Sequence, residues 1–327
     1  MKKILITGGA GFIGSSFCDY LYKKKYEITV IDNLSTGNLK NLSSVIKNIN
    51  FIKADISKKD QLKDIYFKKI DSVFHFAALA DIVPSINDPL SYFNANVLGT
   101  INILEKSRIN KVKKFIYSAS SSCYGLPDKL PINEYHKINP QYPYALTKYL
   151  GEELVLHWAK VYKMNNISLR FFNVYGPRSR TNSNYGAMFG VFLAQKLANK
   201  PLTIIGDGTQ TRDFLFIHDL LDAIYKAWKN GKKGEVYNIA SGSEISVLNI
   251  ANILKHKIIF IPKRPGEPNR LLADIYKAKT HLNWKPKTKI LDGINQMLRN
   301  ISNWKKAPIW TPSKIKQQTK NWFKYLK

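Results

Sequence analysis

Four glycines crowd the start of the chain, Gly8, Gly9, Gly11 and Gly14. They satisfy both GxGxxG (Gly9, Gly11, Gly14) and GxxGxxG (Gly8, Gly11, Gly14), after the apolar run KILIT and before residues that are apolar at helical spacing. Glycine permits the tight turn, lets a pyrophosphate approach the backbone, and brings the helix close to the strand. The helix N-terminus then presents unpaired N–H groups and partial positive charge to the phosphates. Asp32 ends the next apolar run, roughly 20 residues past Gly14, where a carboxylate accepts from both ribose hydroxyls of a dinucleotide. No arginine precedes Arg108, and only Lys40 lies near enough to meet a 2′-phosphate. The pattern predicts NAD rather than NADP.

A second set lies in PYALTK. Tyr144 and Lys148 are i and i+4, so a helix places both on one face. A free phenol titrates near 10, and bringing it near 7 takes about 4 kcal/mol. One ammonium at ~4 Å and an effective dielectric of ~20 supplies about that much, and a bound nicotinamide cation adds to it. The pair is therefore a candidate base if it faces a cofactor. Serines 118 and 120–122 end the run FIYSAS, where a hydroxyl at a strand C-terminus can bond a substrate hydroxyl. His75 reads as structural. Cys123 has no His/Asp partner set to activate it, and with Cys18 it makes neither a disulfide framework nor metal-ligand spacing. The expectations are no metal, a reducing compartment and a cytoplasmic protein.

The elements that must carry these residues alternate. Strand-like runs fall at residues 2–8, 26–32, 49–55, 71–78 and 113–120, and helical patterns at 14–25, 57–68 and 87–109. Strict alternation predicts an α/β fold with a doubly wound Rossmann-type parallel sheet, whose strand C-termini form the ligand edge. The length, 327 residues, suits two domains: 1–172 as the dinucleotide-binding domain, with some later strands returning to it, and 173–327 as a smaller α/β substrate domain with a basic C-terminal appendage. Apolar residues make up 44%, and no run approaches the ~18 that a membrane span requires, so no membrane partner is expected. The net charge is +28, from 43 Lys and 8 Arg against 23 acids, with 28 Asn. Lysines spread along the chain fit an AT-rich coding bias better than a nucleic-acid surface, which gathers its cations in a stripe. No nucleic-acid partner is expected, and an RNA- or DNA-binding protein is the remote alternative. Residues 300–327 hold seven Lys and no acid. Their Trp304, Trp310, Trp322 and Phe323 read as anchors docking the appendage.

Taken in order, TGGAGFIG, VIDNLSTG, KADI, HFAALA, NANVLGT, SASSSCYG, PYALTK, LRFFNVYGPR, GDGTQTRDFLFIHDL and RPGEPNRLLADIYKA resemble the extended short-chain dehydrogenase/reductase family, in its NAD-dependent nucleotide-sugar epimerase and dehydratase branch, from residue 3 to about 300. The resemblance implies Tyr144 as base, Lys148 as its partner and Ser120 as the hydroxyl that contacts the sugar. Gly8, Gly11, Phe12, Ile13, Gly14, Asp32 and Asn33 would hold the dinucleotide, with Asp55 and Ile56 bordering the adenine. Ala77, Ala78 and Leu79 would line it, and Asn96 would help place it. Asn173, Arg212 and Arg264 would hold a substrate diphosphate, Glu267 the nucleotide ribose, and Ser121, Ser122 and Leu271 the sugar. The planar guanidinium suits phosphate because it donates two bonds at once. A homodimer through helices near 87–109 and 144–163 is implied, as is a role in polysaccharide precursor synthesis.

The 4,6-dehydratases of this branch carry an Asp-Glu pair directly after the catalytic hydroxyl, where this chain has Ser121 and Ser122. That departure leaves 4-epimerisation through a transient 4-keto sugar as the leading reaction, with a dehydratase or 4-keto reductase as alternatives. Leu271, Ala80 and Ser121 resemble variants that accept UDP-N-acetylhexosamines, with UDP-glucose/galactose and UDP-glucuronate also open. Arg180, within Ser179–Ser183, is a candidate partner for a uronate carboxylate.

Overall fold

The computed structural model describes residues 1–179 and 187–326. A seven-stranded, wholly parallel sheet forms the frame. Its strands are β1 (Lys3–Thr7), β2 (Glu27–Asp32), β3 (Asn50–Lys53), β4 (Ser72–His75), β5 (Lys114–Ser120), β6 (Asn166–Phe171) and the later strand Val236–Ile239. Across the sheet they run Val236–Ile239, β6, β5, β4, β1, β2, β3. Successive side chains point to opposite faces, and both faces are apolar. Ile4, Ile6, Val30 and Phe74 enter one core, while Leu5, Ile31, Val73 and Phe115 enter the other. Helix α1 (Phe12–Lys23) packs against helix Ile217–Asn230 on the first face. On the other face, α4 (Gly99–Ile109) packs against α5 (Pro143–Val161).

The order reverses at β1 and β4, since β1 pairs with both β2 and β4. Ligands bind at such a switch point, beyond the strand C-termini. Gly8, Asp32, Ala77 and Ser120 all end or follow strands on that edge. After β6, three short strand pairs build the second lobe: Asn173–Tyr175 with Phe214–Phe216, Thr211–Arg212 with Ile245–Ser246, and Leu202–Ile205 with Ile258–Ile261.

One helical expectation needs correcting. Residues 57–68 form two 3-10 turns, Lys59–Gln61 and Asp64–Tyr66, not a helix. Asp55 accepts from the Ser57 amide at 2.8 Å, and its own amide bonds Gln61 Oε1 at 2.8 Å. Those bonds fix a loop start, and burial of Leu62 and Phe67 outweighs the modest helical preference of so short a segment. The helix expected over about 87–109 is present without a break over 89–109, as α3 (Pro89–Phe93), a π-helical turn Asn94–Leu98, and α4, with the short α2 (Ile82–Asn87) before it. Asp88 caps α3 by accepting from Ser91 N at 3.2 Å, with Pro89 at the first position. The π turn carries Asn96, a residue of the site described below.

The C-terminal tryptophans do anchor the tail: Trp304, Trp310 and Trp322 are all buried. No helix among the described residues is long and apolar enough to cross a membrane.

Candidate active site

One cleft of about 1410 Å³ runs from the glycine turn to the second lobe. Single-ligand pockets usually span about 300–1,000 Å³, so this one has room for two molecules end to end. At the β1 end, Gly8 takes φ +71, and a Cβ on Gly14 would sit 2.2 Å from the Gly8 carbonyl. Only glycine allows that approach. No side chain caps α1, so first-turn amides of Phe12, Ile13 and Gly14 lack helical partners, and these residues line the cleft. Asp32 is buried. Its carboxylate accepts from Ala10 N at 2.9 Å and Leu34 N at 2.7 Å. Burial pushes that carboxyl upward, and the two amides oppose the push. A carboxylate offers about four acceptor positions, so Asp32 retains capacity for two ribose hydroxyls. Uncapped amides and a half-satisfied carboxylate fit the pyrophosphate and ribose of a dinucleotide.

Asn33 donates to Asp55 at 3.1 Å. Burial works against ionisation of Asp55, but bonds from Ser57 and Asn33 outweigh it and hold the carboxyl below its usual range. Asp55, Ile56, Ala77, Ala78 and Leu79 line the cleft. Asn96 does not. It stands one layer behind, with Oδ1 accepting from Leu79 N at 2.8 Å and Nδ2 donating to Leu79 O and Thr147 Oγ1, each at 3.0 Å. Any effect of Asn96 on a dinucleotide passes through Leu79.

Tyr144 and Lys148 project from the first turns of α5 into the same cleft, opposite Ser120, Ser121 and Ser122. Burial raises the Tyr144 phenol above its ordinary value, and the Ser120 hydroxyl, with Ser122 beyond it, draws it down. Burial also lowers the Lys148 ammonium to about 7, with Glu152 one turn on opposing the shift. The lysine-driven depression of the phenol expected from spacing is therefore not what the protein's own groups produce. Lys148 is itself desolvated, with Nζ 4.4 Å from the Tyr117 ring centroid. Glu152 is committed to Arg170, which donates to it at 2.6 Å in a buried pair.

At the far end Arg212, Arg264 and Glu267 converge. Glu267 accepts from Arg264 at 3.1 Å and lies 3.8 Å from Arg212. Arg212 also donates to the Thr211 and Pro268 carbonyls at 2.8 and 2.9 Å. Asn173 and Leu271 line this part of the cleft. Ser179 lines it too, whereas Arg180 and the rest of its segment lie outside the described residues.

Two other groups are spoken for. His75 is fully buried, its ring pairing with Thr7 at 2.7 Å and Thr100 at 3.0 Å, and burial lowers it to about 3. Burial raises the Cys123 thiol to about 12.

The model of the NAD dependent epimerase/dehydratase family matches residues 4–240. The chain belongs to that family. Within the NAD-dependent epimerase/dehydratase family, a Methanocaldococcus jannaschii protein provisionally named a UDP-glucose 4-epimerase is 39% identical over 312 residues, 93% of this chain and 98% of that one. The solved UDP-N-acetylglucosamine 4-epimerase of Methanobrevibacter ruminantium, bound to UDP-N-acetylmuramic acid, superposes with a TM-score of 0.85 at 32% identity, covering 93% of this chain and 97% of its own. A dTDP-glucose 4,6-dehydratase of Streptomyces venezuelae superposes with a TM-score of 0.86 at 26% identity, covering 92% and 97%.

Sequence reasoning missed Tyr142 and read Trp322 only as an anchor of the tail. Tyr142 precedes α5, lines the cleft, and stacks on Tyr144 with ring centroids 6.4 Å apart and planes 5° apart. Its place two residues before the candidate base was the available signal. Nothing local tied Trp322 to the cleft, since its indole meets Pro265, Arg264 and Tyr142, all remote in sequence.

Proposed function

We propose that the protein is an NAD-dependent UDP-sugar 4-epimerase. The observation that carries this reading is Tyr144 and Lys148 one turn apart on one helix and lining one cleft, facing a serine run with no carboxylate directly after Ser120. When bound, NAD supplies a reversible two-electron acceptor for sugar C4 and a positive ring charge that favours the Tyr144 phenolate. Tyr144 takes the proton from sugar O4 onto its phenol oxygen and later returns it. Ser120 hydrogen-bonds the same sugar oxygen. The Tyr144 phenolate in turn favours the protonated form of Lys148, one turn on along α5. Arg212 and Arg264 grip the diphosphate, with Asn173 beside them and Glu267 at the nucleotide ribose. The 4-keto sugar can then present its other face while the diphosphate stays held.

Ser121 and Ser122 supply no carboxylic acid to protonate a leaving hydroxyl in loss of water across C5–C6, which favours epimerisation over dehydration. UDP-N-acetylhexosamine is the leading sugar, because Leu271, Ala80 and Ser121 are not bulky and leave room for an acyl group. UDP-glucose/galactose and UDP-glucuronate are its competitors. We also propose a homodimer. Leu90, Phe93 and Leu98 before α4, with Leu146 and Val161 of α5, are exposed apolar residues that a second copy would cover, and light scattering would read twice the chain mass.

Incubation with UDP-N-acetylglucosamine, UDP-glucose and UDP-glucuronate, followed by NMR, tests the reaction. The expected product is the 4-epimer, formed without added NADH, most rapidly from the N-acetylated sugar. A 4-keto-6-deoxy product would select the dehydratase reading instead.

A further inference from the structure

The family model ends at residue 240, and the motif resemblance fades near 300, yet the last helix, Lys320–Tyr325, reaches the site. Its Trp322 is 1% exposed and lies outside the cleft lining, against two residues of the cleft wall. The indole donates to the Pro265 carbonyl at 2.7 Å. The Arg264 guanidinium carbon sits 5.2 Å from the indole centroid. The indole also meets Tyr142, with centroids 5.9 Å apart. Tyr142 in turn stacks on Tyr144. The same short helix touches the dinucleotide lobe, since Asn321 donates to Asn87 at the end of α2 at 2.9 Å. Upstream, Gln195 bonds the Trp310 carbonyl at 2.7 Å, and Asn303 lines the cleft while bonding the Pro177 carbonyl at 2.9 Å. The tail is thus tied down along its length before it delivers Trp322.

From this arrangement we infer that Trp322 is a positioning residue for the nucleotide diphosphate, and that the C-terminal segment is a strap completing the substrate half of the cleft. Arginine has a flexible stem, and its ordering cost is met at binding unless something orders it beforehand. A buried indole face beneath the guanidinium holds it by cation–π attraction, which strengthens when the pair is desolvated. The bond to Pro265 fixes the backbone next to Arg264, so guanidinium and loop are set together. Glu267, three residues on, is set with them through its bond from Arg264. Trp322 does not itself line the cleft. It fixes the group that does.

The inference rests on Arg264 being a diphosphate ligand. The experiment therefore reads binding directly, without turnover. Calorimetry with UDP, dTDP and GDP is run on the wild-type chain, Trp322→Ala and Trp322→Phe, with NAD affinity and thermal unfolding measured alongside. In Trp322→Ala the affinity for the preferred diphosphate is expected to fall about tenfold. NAD affinity should hold within about twofold, and KM for the sugar nucleotide should rise far more than kcat falls. Trp322→Phe keeps a ring under Arg264 and loses the Pro265 bond, so it should recover most of the lost affinity. It also provides the comparison if the alanine variant does not fold. Equal diphosphate affinity in wild type and in both folded variants, or parallel losses for NAD and diphosphate, would overturn the strap. A wild-type chain that binds none of the three diphosphates would overturn the reading of Arg264 and the strap with it.

Discussion

The two ends of the cleft are made of different material. The end we propose for the dinucleotide is largely backbone, a glycine turn and uncapped amides of α1, with the Asp32 carboxylate at the end of β2 beside them. The end we propose for the diphosphate is side chain: Arg212, Arg264 and Glu267, carried on short strand pairs and loops, with the tail packed against them from outside. A backbone site is shaped by the sheet, so it fails abruptly when a Cβ intrudes. A side-chain site is adjustable, so it weakens by degrees and can be retuned for another sugar nucleotide without touching the frame.

The largest effect is expected where the two ends meet. Tyr144→Phe should lower kcat by about 10²–10⁴-fold, the usual contribution of a positioned acid–base group, with NAD and UDP affinities both retained. Steady-state kinetics with calorimetry checks this, and unchanged turnover would remove Tyr144 from the chemistry.

Next comes the backbone end. Gly14→Ala places a Cβ 2.2 Å from the Gly8 carbonyl, and it should weaken NAD about 100-fold, the upper range of overpacking costs. UDP affinity should barely move, and an equal loss would mean the ends are not separable. Arg264→Ala is the converse, with UDP weakened about 10–100-fold for one lost charge-assisted bond pair and NAD unaffected.

How readable each end was in the sequence follows from the same difference. Gly8, Gly11, Gly14 and Asp32 act through local turns and strand ends, so their spacing states their placement. Tyr144 and Lys148 share one helix face, which spacing also states. Arg212 lies far in the chain from the Arg264–Glu267 segment, and only family resemblance joined them beforehand. Trp322 meets Tyr142 and Arg264 solely through tertiary folding. The π turn at Asn94–Leu98, which sets Asn96 behind Leu79, has no periodic signature, and the failed helix at 57–68 shows local bonds and burial overriding an amphipathic pattern.

The smallest expected effect is one of pH. Lys148 is lowered by burial from 10.5 to about 7. Between those values the unfolded chain binds the extra proton, so stability rises with pH across that window. Replacing the ammonium should flatten the rise: Lys148→Met should gain most over wild type near pH 7 and lose that advantage toward pH 10. Urea unfolding at several pH values reads it, and a constant gap between the two proteins would show that Lys148 does not titrate there.

The central claim is that hydrogen leaves sugar C4 for a cofactor held in the cleft and returns to the same carbon. A UDP-sugar deuterated at C4 tests it in ordinary water. The account predicts that NMR finds the 4-epimer with deuterium still at C4. Epimer formed with that deuterium lost to solvent would contradict it.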